Sequence, residues 1–243
     1  MRLVFLNGWA ASSVMLEGLK SYLPSSYELH VLDDLYQYEL AEIISRIDAL
    51  MTSDSVLMGW SLGGILALYY ASLNTDHHKP KALVLLNSTA CFLERANFTE
   101  GVKRADFDAL KGVVQAQDTK ALLRLFSYLL VEGSSGYKED RRSLKRVFNS
   151  ESLPNWVVLS KGLDYLESLD LRAVLACIHQ PTLFVLGEKD ALINASSSLN
   201  SLKNENFKVD VVSGMGHFPF GINAQKVTDI IVGYLYSLSE IKC

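Results

Sequence analysis

The amino-acid sequence predicts an α/β protein with a mostly parallel sheet covered by helices on both faces. Compact apolar runs of strand length alternate with stretches of helical periodicity. One such alternation, Ser55 to Leu73 (SVLMGWSLGGILALYYASL), sets a serine between a buried run and an apolar helix. A third observation qualifies the pattern: from about Cys91 to Leu171 the chain loses its strand signals.

Strands are expected at Arg2 to Leu6, Glu28 to Leu32, Ser55 to Met58, Ala82 to Leu86, Thr182 to Leu186 and Lys208 to Val212. Helices are expected between them at Ser12 to Tyr22, Leu40 to Met51, Gly63 to Leu73 and Ser196 to Leu202. The clearest helix is the last, where Val227, Ile230, Ile231, Tyr234, Leu235 and Leu238 follow the stripe of one buried face. Such alternation builds a parallel sheet with helices on both sides. The interval from about 91 to 171 is more charged and is interrupted at Gly133, Ser134, Ser135 and Gly136. It is too long for a structureless loop, so a helical cap of two arms is expected there, inserted after the fourth strand of a single domain spanning 1–243.

Composition narrows the function classes only a little. The chain has 243 residues, 49% of them hydrophobic, enough for one large core. A net charge of -4 gives no reason to expect nucleic acid. The N-terminal MRLVFLNGW enters a strand directly, and no run approaches the ~18 to 20 apolar residues of a membrane span. Cys91, Cys177 and Cys243 are odd in number and widely spaced, which argues against a disulfide framework. A cytoplasmic protein, not membrane-bound and monomeric, is the expectation.

Gly59, Trp60, Ser61, Leu62 and Gly63 form the pattern GxSxG. A serine on a sharp strand-to-helix turn has a strained backbone, and small residues two before and two after it let neighbouring backbone pass. Such a serine stands clear of the sheet at the positive end of the next helix, the arrangement of a nucleophile. The alternative is an ordinary strand-turn-helix with a capping serine.

A serine nucleophile needs a base to take its proton and a carboxylate to orient that base. Asp190 closes the strand and turn PTLFVLGEKD, and His217 lies in the loop SGMGHFPF before the last helix. They follow the serine in the order serine, acid, histidine. Other histidines fit less well: His77 and His78 lie in a polar segment, His30 inside a strand pattern, and His179 just before Pro181. Glu188 lies within the turn, Asp164 within the cap, and LNSTACF offers no carboxylate before Glu94. The developing oxyanion needs backbone N–H donors, expected from Leu62 and from Trp9 in the turn Asn7, Gly8, Trp9. No His, Cys, Asp or Glu cluster has metal-ligand spacing, so neither metal nor cofactor is expected.

Together NGWAASSVM, MGWSLGG, LNSTACF, GLDYLESLDLRAVL and GMGHFPF resemble the α/β-hydrolases, and within them the pimeloyl-[acyl-carrier protein] methyl ester esterases of biotin biosynthesis. The resemblance implies an α/β-hydrolase fold of about six mostly parallel strands flanked by helices, with a helical cap. It implies hydrolysis of the methyl ester of pimeloyl-ACP, with Ser61, Asp190 and His217 as the triad and Trp9 and Leu62 at the oxyanion. It places a substrate-channel segment at Phe126, Ser127, Tyr128, Leu129 and Leu130, and makes acyl carrier protein a transient partner.

The cap carries Lys138, Arg141, Arg142, Lys145 and Arg146 against Glu139 and Asp140. Charge alone fits a solvated helix face. With the resemblance, Lys138, Arg142, Lys145 and Arg146 become the expected docking surface for an acidic carrier protein. Several positions depart from the family pattern. The chain begins at its first long strand, without the usual N-terminal hairpin, so Glu28 to Leu32 should lie near an edge. Asn7 replaces the usual histidine, Asp33 to Leu40 (DDLYQYEL) replaces a glycine-containing loop, and Ala121 and Leu125 stand at usually basic positions beside Lys120 and Arg124. Two other functions fit the same residues: a general short-chain carboxylesterase, and a ligand-binding protein on a hydrolase scaffold.

Overall fold

Apolar runs become adjacent parallel strands in the computed structural model, which describes residues 1–33, 35–73, 79–196, 198 and 202–240. The strands are β1 (Arg2–Leu6), β2 (Glu28–Leu32), β3 (Val56–Trp60), β4 (Ala82–Leu86), β5 (Thr182–Gly187) and β6 (Phe207–Val212). They form one six-stranded sheet in the order β2-β1-β3-β4-β5-β6, parallel throughout. Burial follows position: β3, β4 and β5 are buried at every residue, whereas β2 and β6 at the edges are half-exposed. The expected edge position of Glu28 to Leu32 is observed, and Glu28 there pairs with His30 at 2.7 Å and Arg2 at 3.7 Å. Charges on an edge strand discourage pairing with another chain.

The described helices are α1 (Glu17–Lys20), α2 (Leu40–Asp48), α3 (Leu62–Ser72), α4 (Arg104–Gln115), α5 (Thr119–Val131), α6 (Tyr137–Val147), α7 (Trp156–Ser168) and α8 (Ala224–Glu240). The chain runs from β1 outward to β2, then back past β1 to β3. Right-handed crossovers then put α1 on one face and α2 and α3 on the other. α8 returns to pack on α1. This reversal leaves a crevice between the carboxyl ends of β1 and β3, where open α/β sheets form their sites. The turn beginning at Asn7 and the serine at 61 both emerge there.

Two expected helices differ. Ser12 to Tyr22 is a 3-10 turn, Ser13–Leu16, running into the four-residue α1. The short helix suits a close contact, because α1 presses Gly18 against the Phe220 carbonyl. Ser196 to Leu202 falls largely outside the described residues, as do His77, His78 and Cys243. Between β4 and β5 stand α4, α5, α6 and α7, then a 3-10 segment, Arg172–Cys177. Asn155 caps α7 by accepting from Val158 N at 3.0 Å, and Asp118 caps α5 by accepting from Ala121 N at 2.9 Å. The LDLR stretch closes the interval: Asp170 forms an isolated bridge with Cys91, and Arg172 donates to Asp170 at 2.6 Å and to Asn97 Oδ1 at 2.9 Å.

Candidate active site

Ser61 sits where β3 turns into α3, with φ 54° and ψ -121°. A non-glycine residue there is strained, so surrounding contacts must hold it. Ser61 N donates to Leu86 O at 3.0 Å, and Ser61 O accepts from Ser88 Oγ at 2.8 Å and Gly64 N at 3.0 Å. The flanking glycines have a steric cause: a Cβ on Gly59 would lie 2.4 Å from Gly63 O, and one on Gly63 would lie 2.1 Å from Leu6 O. The helix therefore begins in contact with the end of β1, and Ser61 stays half-buried and reachable at its positive end.

His217 and Asp190 arrive from loops after β6 and β5. Ser61 Oγ lies 3.0 Å from His217 Nε2, and His217 Nδ1 lies 2.7 Å from Asp190 Oδ2. The carboxylate beside Nδ1 fixes the proton on that nitrogen, leaving Nε2 to accept from the serine. The His217 and Asp190 side chains are 1% and 0% exposed, so this pair is shielded from water. Asp190 is fully engaged: Oδ1 accepts from Leu192 N at 2.8 Å and Ile193 N at 2.9 Å, and Oδ2 also accepts from Asn87 Nδ2 at 2.7 Å. Trp60 anchors the histidine, its Nε1 donating to His217 O at 3.0 Å.

Trp9 and Leu62 lie on the two sides of the β1–β3 crevice. Neither backbone N–H donates to a protein acceptor among the described residues. The Trp9 ring is buried, its Nε1 donating to Leu159 O at 2.8 Å and its plane nearly perpendicular to the Phe126 ring, 4.9 Å away between centroids. Packing by the ring leaves the backbone N–H for another acceptor. Asn7 donates to Asp33 and accepts through its carbonyl from Tyr36, so these two residues brace this turn. Burial pushes the Tyr36 hydroxyl far up, keeping it a donor.

The segment Phe126 to Leu130 does not face one cavity, because successive helical residues point in different directions. Phe126 and Leu130 are buried, Phe126 against Trp9 and Phe148. Leu129, with Leu125, lines a groove of about 430 Å³ beside Asp190, together with Phe92, Phe107 and Leu110. Ser127 and Tyr128 instead line a separate groove with Arg124, Arg141 and Lys145. On α6, Lys138, Arg142, Lys145 and Arg146 are exposed, and none enters an ion pair among the described residues.

The competing residues lie elsewhere. His30 pairs with Glu28, and His179 is exposed. Asp164 is 3.7 Å from Lys111. Glu188 accepts from Gly214 N and Ser213 Oγ, which hold its carboxyl below the usual range. Sequence reasoning missed Trp60, Asn87 and Ser88 as supports of the serine and its partners. The signal for Asn87 and Ser88 was a polar pair directly after a buried strand. Among the described residues no group of three or more His, Cys, Asp or Glu could hold a metal ion, and no helix is long and apolar enough to cross a membrane.

Fold and site define an α/β-hydrolase, and the chain belongs to that family: a family model for the alpha/beta hydrolase fold matches residues 2–224. Within it, the chain is 28% identical over 246 residues to the pimeloyl-[acyl-carrier protein] methyl ester esterase of Xanthomonas campestris pv. campestris, covering 97% of this chain and 95% of that protein. The protein of that name from Xylella fastidiosa is 27% identical over 248 residues, with the same coverage. Among solved structures, a bromoperoxidase from Bacillus anthracis superposes with a TM-score of 0.83 at 18% identity, covering 97% of this chain and 91% of that one. An esterase from Exiguobacterium antarcticum gives 0.78 at 21% identity, covering 97% and 92%. At these identities the superpositions speak for the fold alone.

Proposed function

We propose that this chain is a serine carboxylesterase that hydrolyses the methyl ester of pimeloyl-[acyl-carrier protein], with Ser61 as nucleophile, His217 as base and Asp190 as the orienting acid. The observation that carries the reading is the continuous hydrogen-bonded line from Ser61 Oγ through the His217 ring to Asp190 Oδ2, at 3.0 and 2.7 Å. Ser61 attacks the ester carbonyl while His217 Nε2 takes its proton. The N–H groups of Leu62 and Trp9 receive the oxyanion. As the tetrahedral intermediate collapses, the imidazolium, steadied by Asp190, gives its proton to the methoxide oxygen, which leaves as methanol. Water activated by the same nitrogen then hydrolyses the acyl-enzyme, restoring Ser61 and freeing the carboxylate.

The names of the Xanthomonas and Xylella relatives support this substrate. In this reading α4 to α7 form a cap, and the groove lined by Phe92, Phe107, Leu110, Leu125 and Leu129 takes the acyl chain. The exposed cations of α6 then face the acidic carrier, where complementary charge speeds encounter. Comparing kcat/KM for pimeloyl-ACP methyl ester with that for a free short-chain methyl ester tests the proposal. A clear preference for the carrier-linked ester, weakened by added salt and by reversing Arg142 and Lys145 to Glu, is the expected result. Equal kcat/KM for both esters, unaffected by the reversal, would make the protein a general carboxylesterase. No burst and no turnover with an activated aryl ester would make it a binding protein.

A further inference from the structure

The residue following β4 joins the acid and histidine segments. Asn87 is fully buried, its backbone N donates to Val185 O at 2.9 Å, and it has φ 43°. Asparagine tolerates this left-handed backbone better than most side chains. Its Nδ2 donates to Asp190 Oδ2 at 2.7 Å and to Gly216 O at 3.1 Å. Both partners are pure acceptors, so the amide presents its NH2 to them, one hydrogen to each. Its Oδ1 is then buried with no hydrogen-bond partner among the described residues. An unpaired buried oxygen is a cost that an apolar residue would avoid, so the side chain is explained by its donors.

Those donors act on both halves of the pair. Backbone N–H groups of Leu192 and Ile193 hold one oxygen of Asp190, and Asn87 holds the other, which also accepts from His217 Nδ1. The carboxylate plane is thereby set independently of the imidazole. The second hydrogen of the same amide holds the carbonyl of Gly216, the residue before His217. We propose that Asn87 is a positioning residue of the triad, an amide clamp that fixes the Asp190 carboxylate and the His217 backbone relative to each other. It touches no substrate, so it acts on the chemical step and not on binding. The inference rests on the proposed roles of Ser61, His217 and Asp190.

Two substitutions separate the amide from the backbone it occupies. Asn87→Gly keeps the left-handed turn and removes both donors. Asn87→Asp keeps shape and volume but sets a second carboxylate against two acceptors. Both are assayed beside the wild-type chain and Ser61→Ala on an activated ester, with the Nδ1 proton of His217 followed by NMR and folding by thermal unfolding. Misplacing a reacting group by about 1 Å costs on the order of a hundredfold. The expected result is therefore a drop in kcat of about tenfold to a hundredfold for Asn87→Gly, larger for Asn87→Asp, with KM within about twofold. In both, unfolding stays cooperative and the Nδ1 proton resonance is displaced or lost. If Asn87→Gly does not fold, the size-conserving Asn87→Asp decides alone. A kcat within about twofold of wild type, or a loss no greater than the loss of folded protein with the resonance unmoved, overturns the clamp. Full activity in Ser61→Ala overturns the triad reading itself, a different failure.

Discussion

Trp60 and His217 are joined by a hydrogen bond from the indole Nε1 to the histidine carbonyl at 3.0 Å, so the residue before the serine anchors the backbone of the imidazole. Both are buried, and the Trp60 ring also meets Phe220 edge-on at 5.1 Å. The variable second position of GxSxG is therefore part of the support for the histidine.

Trp60→Phe keeps an aromatic ring but leaves the buried His217 carbonyl unpaired. A buried acceptor without its donor costs about 1–3 kcal/mol. Urea unfolding should register that loss, and kcat should fall with it. Stability unchanged within about 0.5 kcal/mol would mean the carbonyl finds another donor.

Gly63 and Gly112 make opposite predictions for the same substitution. A Cβ on Gly63 would lie 2.1 Å from Leu6 O and 2.6 Å from Asn7 O, both backbone atoms that cannot swing aside. Gly63→Ala should cost about 3 kcal/mol or more, or yield no soluble protein. Gly112 is exposed within α4 and a Cβ there meets nothing within 4 Å. Gly112→Ala should stabilise by about 0.5–1 kcal/mol, since glycine is a poor helix residue. Thermal unfolding of both variants reads the two signs.

The Asp170–Arg172 pair gives a pH-dependent prediction. The Arg172 guanidinium beside Asp170, with a contribution from Arg95, holds its carboxyl below the usual carboxylate range. A folded-state pKa below the unfolded one adds stability above the unfolded value, about 3.9, which is lost as pH falls through the folded one. Asp170→Asn should therefore destabilise the chain at pH 7, and the gap from wild type should shrink as both are acidified. A gap of equal size at pH 7 and well below the usual carboxylate range would refute the linkage.

The sheet was legible because burial on both faces leaves an apolar run that alternation with helices cannot hide. Ser61, Asp190 and His217 could be picked out by local turns and order along the chain, and the fold brings them into hydrogen-bonding contact. Asn87 was not legible, because an amide after β4 carries no catalytic signature by itself and its hydrogen-bond partner Asp190 is distant in sequence. Phe126 to Leu130 looked like one substrate segment because a string of letters has no faces, whereas a helix turns Leu129, Tyr128 and Phe126 toward different surroundings. The 3-10 start of the first helix, Ser13–Leu16, was equally hidden, since its apolar residues also fit an α-helical stripe.

The most direct measurement is the release of free pimeloyl-ACP from its methyl ester by the wild-type chain and by Ser61→Ala, each purified from a host lacking the corresponding esterase. Turnover by wild type and a fall of about 10⁴-fold or more in Ser61→Ala are expected. Turnover by Ser61→Ala at the wild-type rate, or a wild-type chain that leaves the ester intact, would contradict the proposed function.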